Sequence, residues 1–139
     1  MNQIPQNFYR TSIKALVLNG EKKFLLAKES DGRWELPGGG MDHGETPQTC
    51  LEREIKEEMG LSVTWVSNTP SYFYTLKHKE YRWVSNILFE TKLKNLNFTP
   101  SDECTELDFF SAEEAKRLIC LPNIDIFLTL FNPKNHSQN

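Results

Sequence analysis

The sequence predicts an α/β protein in which a mixed β-sheet lies between helical layers. Its length of 139 residues fits one domain with its own hydrophobic core. Strand-like segments stand on both sides of one acidic helix, predicted over residues 47–59, and two further helices are predicted near the carboxyl end. Strands around one helix, followed by more helices, are typical of a sheet that is covered on both faces.

The strands are predicted from short runs of apolar or alternating residues bounded by turn residues. They cover residues 11–18, 23–29, 34–36, 61–67, 71–78, 81–93 and 106–111. Asn19 and Gly20 suit the tight turn between the first two strands. Residues 94–105 are polar and are predicted to form a loop.

Two helices are predicted after the last strand. Ser111 and Glu114 have the spacing of a capping box, so a helix is expected over residues 111–119, and an apolar helix is expected over residues 123–131.

The polar ends of the chain are expected to lie outside this domain. Residues 1–9 would form an N-terminal arm, residues 10–131 a single domain, and residues 132–139 a flexible C-terminal tail.

The acidic helix has clear signals at both ends. Thr46 is a good N-cap, Pro47 suits the first helical position, and Gly60 can end the helix in a left-handed conformation. A glycine-rich stretch over residues 38–44 directly precedes it, where the backbone could approach a bound ion or phosphate closely. The helix and this stretch are therefore expected to form one unit.

Glu54, Glu57 and Glu58 gather on one side of this helix. Like charges three and four residues apart destabilise a helix by roughly 0.2–0.5 kcal/mol per pair. A hard divalent cation bound between the carboxylates would offset this repulsion. Arg53 could also hold one or both of Glu57 and Glu45 by charge-assisted hydrogen bonds. A solvated, charged helix face is the alternative interpretation of the helix taken alone.

The segment from Gly39 to Leu61 resembles the Nudix family, which hydrolyses nucleoside diphosphates linked to another moiety. Every position of the family signature is met, in the order Gly39, five residues, Glu45, seven residues, Arg53, Glu54, Ile55, one residue, Glu57, Glu58, one residue, Gly60 and Leu61. So many fixed residue types at fixed spacing make a specific motif. The resemblance implies a Nudix-type α/β/α sandwich over about residues 10–130.

The resemblance also implies the metal and its ligands. Glu54, Glu57 and Glu58 would bind Mg²⁺, for which Mn²⁺ could substitute, with help from the backbone carbonyl of Gly38 or Gly39. Glu45 and Arg53 would fix the helix to the glycine-rich stretch.

The general base stays open, because family members use either a glutamate of the motif or an acidic residue from a later loop. The later candidates here are Asp102, Glu103, Glu106 and Asp108. Glu103 is the first choice because it precedes the last strand, and an exposed loop acid with no catalytic role is the alternative. His43 is expected to be a polar loop residue.

For substrate contacts, the sequence offers Arg10, Trp34 and Trp83. By elimination a nucleoside triphosphate is the expected substrate, in the manner of house-cleaning pyrophosphohydrolases. ADP-ribose or a dinucleoside polyphosphate is the alternative, although Leu76 and His78 stand where the corresponding subgroups carry proline and tyrosine. A non-catalytic nucleotide-binding domain and an isomerase acting on prenyl diphosphates also stay open.

The net charge, the length of the apolar runs and the cysteine spacing limit the kinds of partner and the location that are expected. The net charge of −3 gives no reason to expect nonspecific binding to nucleic acid, which needs a basic surface, so the expected partner is a small nucleotide diphosphate derivative. No segment approaches the roughly 18 consecutive apolar residues of a membrane span. Cys50, Cys104 and Cys120 are far apart and have no zinc-like spacing, so they are expected to be reduced thiols in a cytoplasmic protein. The protein is expected to be a monomer or a homodimer.

Overall fold

The computed structural model describes residues 5–80 and 82–137. Residues 1–4 of the expected arm, Tyr81 of an expected strand and residues 138–139 of the expected tail lie outside the described residues. The strands are β1 (Arg10–Leu16), β2 (Phe24–Lys28), β3 (Trp34–Glu35), β4 (Gly38–Gly40), β5 (Val63–Val66), β6 (Tyr72–His78), β7 (Arg82–Leu93) and β8 (Glu106–Phe110). The helices are α1 (Pro47–Met59), α2 (Ala112–Ala115) and α3 (Pro122–Leu130), followed by a 3₁₀ turn at Pro133–Asn135.

The strands form two sheets. In the larger one, β1 lies between β4, to which it is antiparallel, and β7, to which it is parallel. Both β6 and β5 pair antiparallel with β7 along its other side, and the 12 residues of β7 are long enough to serve both. The smaller sheet has the order β3-β2-β8, and a bridge between Leu18 and Phe24 links β2 to the chain beyond β1.

Helices cover both faces of the larger sheet. Ile13 and Ala15 of β1 pack with Leu51 and Ile55 of α1 on one face. On the other face, Leu16 and Leu88 join a core cluster with residues of α3, including Ile124 and Phe127. The predicted class, a mixed sheet between helical layers, is confirmed. Among the described residues, no helix has both the length and the apolar character needed to cross a membrane.

Helix α1 has the predicted bounds. The Thr46 side chain accepts a hydrogen bond from the backbone N–H of Thr49, whose hydroxyl in turn accepts one from the backbone N–H of Thr46. Gly60 ends the helix at φ 69°, and its N–H donates to the carbonyl of Lys56. These are local signals, which is why the sequence was sufficient to predict them.

Two elements differ from the prediction because of non-local pairing. The three glycines expected in a loop form strand β4, since Gly38 and Gly40 pair with Lys14 and Ser12 of β1. Helix α2 covers only Ala112–Ala115, because the chain after it turns to hydrogen-bond with β3: the Trp34 N–H donates to the carbonyl of Ile119.

Residues 132–137 belong to the segment expected to form a flexible tail, and most of them are exposed, but His136 packs against the sheet. His136 is 6% exposed, with Nε2 2.7 Å from the hydroxyl of Tyr72 and Nδ1 2.8 Å from Oε1 of Glu90. Its ring also stacks on Phe131 at 5.6 Å between centroids. One buried histidine therefore ties the end of the described chain to β6 and β7.

Candidate active site

Arg53 connects helix α1 to the glycine-rich stretch. Its guanidinium donates to both carboxylate oxygens of Glu45, at 2.7 and 3.0 Å, and to the carbonyl of Gly40 at 3.0 Å. The same group donates to Glu54 at 2.9 Å and to Glu57 at 3.3 Å. Hydrogen bonds from Arg53 lower the pKa of Glu45 to about 2, so this carboxylate stays ionised. The predicted contacts of Arg53 are thus formed.

Glu58 lies deeper than the other two glutamates of the helix. It is 8% exposed, and its Oε1 accepts a hydrogen bond from the backbone N–H of Gly38 at 3.0 Å. Burial raises the pKa of Glu58 to about 8; Lys14 and the Gly38 N–H oppose this shift, while Glu54 and Glu103 add to it. The carboxylates of Glu54 and Glu103 therefore add negative charge around the buried, poorly solvated carboxyl group of Glu58.

Gly39 brings the β4 backbone against Glu54. An added Cβ at Gly39 would lie 2.6 Å from a carboxylate oxygen of Glu54, closer than any ordinary contact. Behind the strand, the buried Cys50 thiol lies 3.7 Å from the Gly39 carbonyl oxygen, and burial raises the pKa of this thiol to about 11. Cys50 is therefore a protonated, space-filling residue at neutral pH.

The donor chemistry here fits a divalent cation. The carboxylates of Glu54, Glu57 and Glu58 and the carbonyls of Gly38 and Gly39 are hard oxygen ligands, and a cation would relieve the charge repulsion that acts on Glu58. Within residues 5–80 and 82–137, however, no three His, Cys, Asp or Glu side chains are arranged to hold a metal ion. Glu54 and Glu57 point to Arg53 instead, so binding a cation requires these side chains to turn.

The four loop acids differ in their surroundings, and Asp102 is exposed. The side chain of Glu106 pairs with Lys28 at 3.0 Å, and that of Asp108 accepts from the Phe109 N–H at 2.8 Å. Glu103 is exposed, and its charge acts on the buried Glu58. Glu103 is thus the loop acid whose charge acts on a glutamate of the motif, Glu58.

A cavity of about 600 Å³ opens on the face of the larger sheet away from α1. Side chains alternate along β1, so Ile13 and Ala15 face the helix while Arg10, Ser12 and Lys14 line the cavity. Other basic and polar residues also line the cavity, among them Arg33, Lys77, Lys79 and Asn86. The cavity borders β4 at Gly40, so it lies next to the carboxylates across the edge of the sheet.

Lys14 is a buried cation between the cavity and Glu58. Its Nζ donates to the carbonyl of Gly38 at 3.2 Å and lies 3.6 Å from a carboxylate oxygen of Glu35. Burial alone would lower the pKa of Lys14, but the negative charges of Glu35, Glu58 and Glu54 outweigh burial and raise it. The sequence analysis missed this residue, although polar residues at positions 10, 12 and 14 of an apolar strand were a signal for it.

The three predicted substrate residues lie in different places. Arg10 lines the cavity, donates to the carbonyl of Met41 and lies 3.8 Å from Asp42. Trp34 is 8% exposed and packs edge-on against Phe110, and Trp83 is exposed beside Tyr9. Neither tryptophan lines the cavity formed by the described residues, so their substrate contacts stay predictions that this placement does not favour.

Comparisons with known proteins agree with this fold and motif. Over 82 residues, the chain is 37% identical to the RNA pyrophosphohydrolase of Ruthia magnifica subsp. Calyptogena magnifica, a match that covers 52% of this chain and 46% of that protein. Over 98 residues, it is 34% identical to the RNA pyrophosphohydrolase of Blochmanniella pennsylvanica (strain BPEN), covering 66% of this chain and 62% of that protein. The chain thus spans about half to three fifths of these relatives.

Solved structures show the same fold. The MutT protein from Methanosarcina mazei Go1 has a TM-score of 0.74 at 23% identity, covering 96% of this chain and 99% of that one. The E. coli ORF135 protein has a TM-score of 0.73 at 24% identity, covering 88% of each chain. The family model of the NUDIX domain matches residues 8–128, which include β1, α1 and nearly all of α3. This chain belongs to the NUDIX domain family.

Proposed function

We propose that this protein hydrolyses the pyrophosphate linkage of a nucleoside diphosphate derivative, with a nucleoside triphosphate as the expected substrate. The observation that carries the proposal is the position of Glu54 and Glu58 at the β4 edge of a sheet whose other face opens into a basic cavity. A nucleotide in that cavity could extend its phosphates across the edge to the carboxylates.

The metal-binding residues are proposed from their chemistry and place. Glu54, Glu57 and Glu58 would hold Mg²⁺, or Mn²⁺ in its place, beside the carbonyls of Gly38 and Gly39. When bound, the cation supplies charge stabilisation at the phosphoryl oxygens and activates water for attack. The buried Glu58 is the ligand that gains most from a cation, because its negative charge is poorly solvated.

Arg53 and Glu45 are proposed as positioning residues. The guanidinium binds the carboxylate of Glu45 in a two-point arrangement and also reaches Glu54 and Gly40. This fixes helix α1 relative to β4, and with it the place of the metal ligands.

Glu103 is proposed as the general base. It would take a proton from the attacking water as the new oxygen–phosphorus bond forms and the bridging phosphorus–oxygen bond breaks. The support for Glu103 is its effect on Glu58, while the carboxylates of Glu106 and Asp108 already have partners.

The cavity would bind the rest of the substrate. Arg10, Arg33, Lys77 and Lys79 give it positive charge, and Glu35 is the acidic residue among its lining residues. Positive charge at a concave site attracts polyphosphates even though the whole chain carries a net charge of −3. A cytoplasmic protein that is a monomer or a homodimer remains the expectation.

A second candidate substrate is the phosphorylated 5′ end of an RNA. The names of the two relatives favour it, and it would replace the expectation of no nucleic-acid partner. The same basic cavity could receive a terminal nucleotide. ADP-ribose, dinucleoside polyphosphates and binding without catalysis are further alternatives that one experiment separates.

The test is a turnover panel that measures phosphate and pyrophosphate release separately. It includes nucleoside triphosphates, ADP-ribose, a dinucleoside tetraphosphate and a 5′-triphosphorylated oligonucleotide. We expect turnover of a nucleoside triphosphate that excess chelator abolishes; turnover that chelator leaves undiminished would refute metal dependence, and no turnover of any substrate would refute the hydrolase proposal.

Matched glutamine variants test the site itself. Glu58→Gln keeps the shape of the side chain but removes a charge that the metal needs, so kcat should fall by about 10²-fold or more. Glu52→Gln is the control, because Glu52 is exposed on the opposite side of the same helix and should leave kcat unchanged. Equal loss in both variants would contradict the assignment.

A further inference from the structure

Asn86 lies in the floor of the cavity. It pairs with Ser12 of β1 on one side and with Tyr74 of β6 on the other, and Ser12 pairs in turn with Gly40 of β4. This row of residues crosses four strands of the larger sheet, and Ser12, Asn86 and Gly40 all line the cavity. Gly40 marks the end of the row next to the carboxylates.

The Asn86 side chain is buried and has no hydrogen-bond partner among residues 5–80 and 82–137. The residue is 2% exposed, yet its carboxamide makes no hydrogen bond within the described part of the chain. Within the same part, every fully enclosed side-chain nitrogen or oxygen has a partner. The small remaining surface of Asn86 therefore includes its amide atoms, and the cavity is what this residue lines.

A second buried asparagine shows what a paired amide looks like here. Asn123 is 5% exposed and lines the same cavity, but its Nδ2 donates to Glu35 at 3.0 Å and to the hydroxyl of Tyr74 at 3.5 Å. Asn123 is thus held by protein groups, whereas Asn86 presents both a donor and an acceptor to whatever fills the cavity.

The position of Asn86 selects the part of the ligand that it can reach. Neighbouring strands are about 4.8 Å apart, so Asn86 on β7 lies roughly 10 Å from the backbone of Gly40 on β4. A nucleotide with its phosphates across the β4 edge would have its sugar above Ser12. Its base, the group furthest from the phosphates, would lie above Asn86.

We propose that Asn86 is a specificity-determining residue whose carboxamide hydrogen-bonds an adjacent donor and acceptor on the edge of the nucleobase. This inference rests on the proposed nucleotide substrate. A carboxamide reads such an edge with two hydrogen bonds, and a base that cannot match them leaves buried polar groups unpaired. Residues on the strands, and not the glutamate motif of helix α1, would then set the base preference.

The test compares wild type with Asn86→Leu, which keeps the approximate size of the side chain without polar atoms. Calorimetric titration with α,β-methylene analogues of the four nucleoside triphosphates measures binding without turnover. We expect wild type to prefer one base, and the variant to bind that analogue about 10- to 100-fold more weakly and to lose the preference. Binding of the base-free probe methylenediphosphonate should be unchanged.

Thermal unfolding of the ligand-free proteins checks that the variant folds and separates a binding role from a structural one. Asn86→Leu removes an unpaired buried amide, so its Tm should equal or exceed that of wild type. Asn123→Leu is the matched control, because it breaks two hydrogen bonds and should lower Tm. A lower Tm for Asn86→Leu would overturn the inference.

The binding results also separate this inference from the proposed function. An unchanged base preference in Asn86→Leu, or no base preference in wild type, would overturn the role of Asn86 even if wild type is an active hydrolase. A base preference that Asn86→Leu abolishes would support that role even if no nucleotide is hydrolysed.

Discussion

Replacing Gly39 with alanine should damage catalysis far more than folding. The new Cβ would lie 2.6 Å from Oε2 of Glu54, so the carboxylate must retreat by about 0.8 Å to reach an ordinary contact of 3.4 Å. A displacement of about 1 Å at a catalytic group can cost on the order of 10² in rate. We therefore expect kcat to fall by about 10²-fold.

The expected cost in stability is small because the atoms in the way belong to a side chain. Glu54 can swing aside, at the expense of its ion pair with Arg53 at 2.9 Å. Such a partly exposed pair is worth at most about 1 kcal/mol. Gly38 differs, since its φ is 124° and an added Cβ would strike the backbone of Ile13, so Gly38→Ala should unfold the protein.

The assay combines steady-state turnover with urea unfolding. Gly20→Ala is the control, because an added Cβ there has no neighbour within 4 Å and the backbone is not left-handed. It should keep full activity and a similar stability. If Gly39→Ala retains wild-type kcat, Glu54 does not act from the position seen here. If Gly39→Ala instead lowers the free energy of unfolding by several kcal/mol, the Glu54 side chain cannot move away from the added Cβ. A loss of activity would then reflect unfolding and not the position of Glu54.

Four further outcomes are expected. Glu45→Gln should lower kcat about tenfold, since it acts through Arg53, and a loss as large as that of a metal ligand would contradict a positioning role. Cys50→Ala should keep most activity while Cys50→Leu loses it by pushing on β4; equal loss in both would point to a chemical role for the thiol. Glu103→Gln should slow turnover without changing metal affinity measured by titration, and the reverse pattern, with Glu106→Gln inactive, would move the base to Glu106. His136→Ala should lower the free energy of unfolding by about 1–3 kcal/mol through its lost partners on β6 and β7, with kcat unchanged; wild-type stability would show that the end of the chain contributes nothing.

Helix α1 could be predicted in full because its information is local. Thr46, Pro47 and Gly60 mark its ends within the segment itself, and the spacing of Glu54, Glu57 and Glu58 follows from the helical repeat. The contacts of Arg53 with Glu45 and Glu57 were predicted for the same reason, since both partners lie within eight residues of the arginine.

The remaining elements depended on partners that are distant in sequence. Nothing within residues 38–40 says that they form a strand, because β1 supplies their partners. The early end of α2 depends on Trp34, about 80 residues upstream, and the packing of His136 depends on Tyr72 and Glu90. Local propensity has no access to these contacts.

The contrast between local signals and contacts distant in sequence also applies to the phosphate end and the base end of the proposed substrate. The chemistry at the phosphates depends on one helix and the strand beside it, so the sequence motif predicts it directly. The cavity depends on the register that places Ser12 opposite Asn86, and a shift of one residue would turn both side chains to the other face of the sheet. Proteins that share the motif can therefore differ in substrate through the strands alone, which is why the motif predicts the reaction class here and leaves the base to be found by experiment.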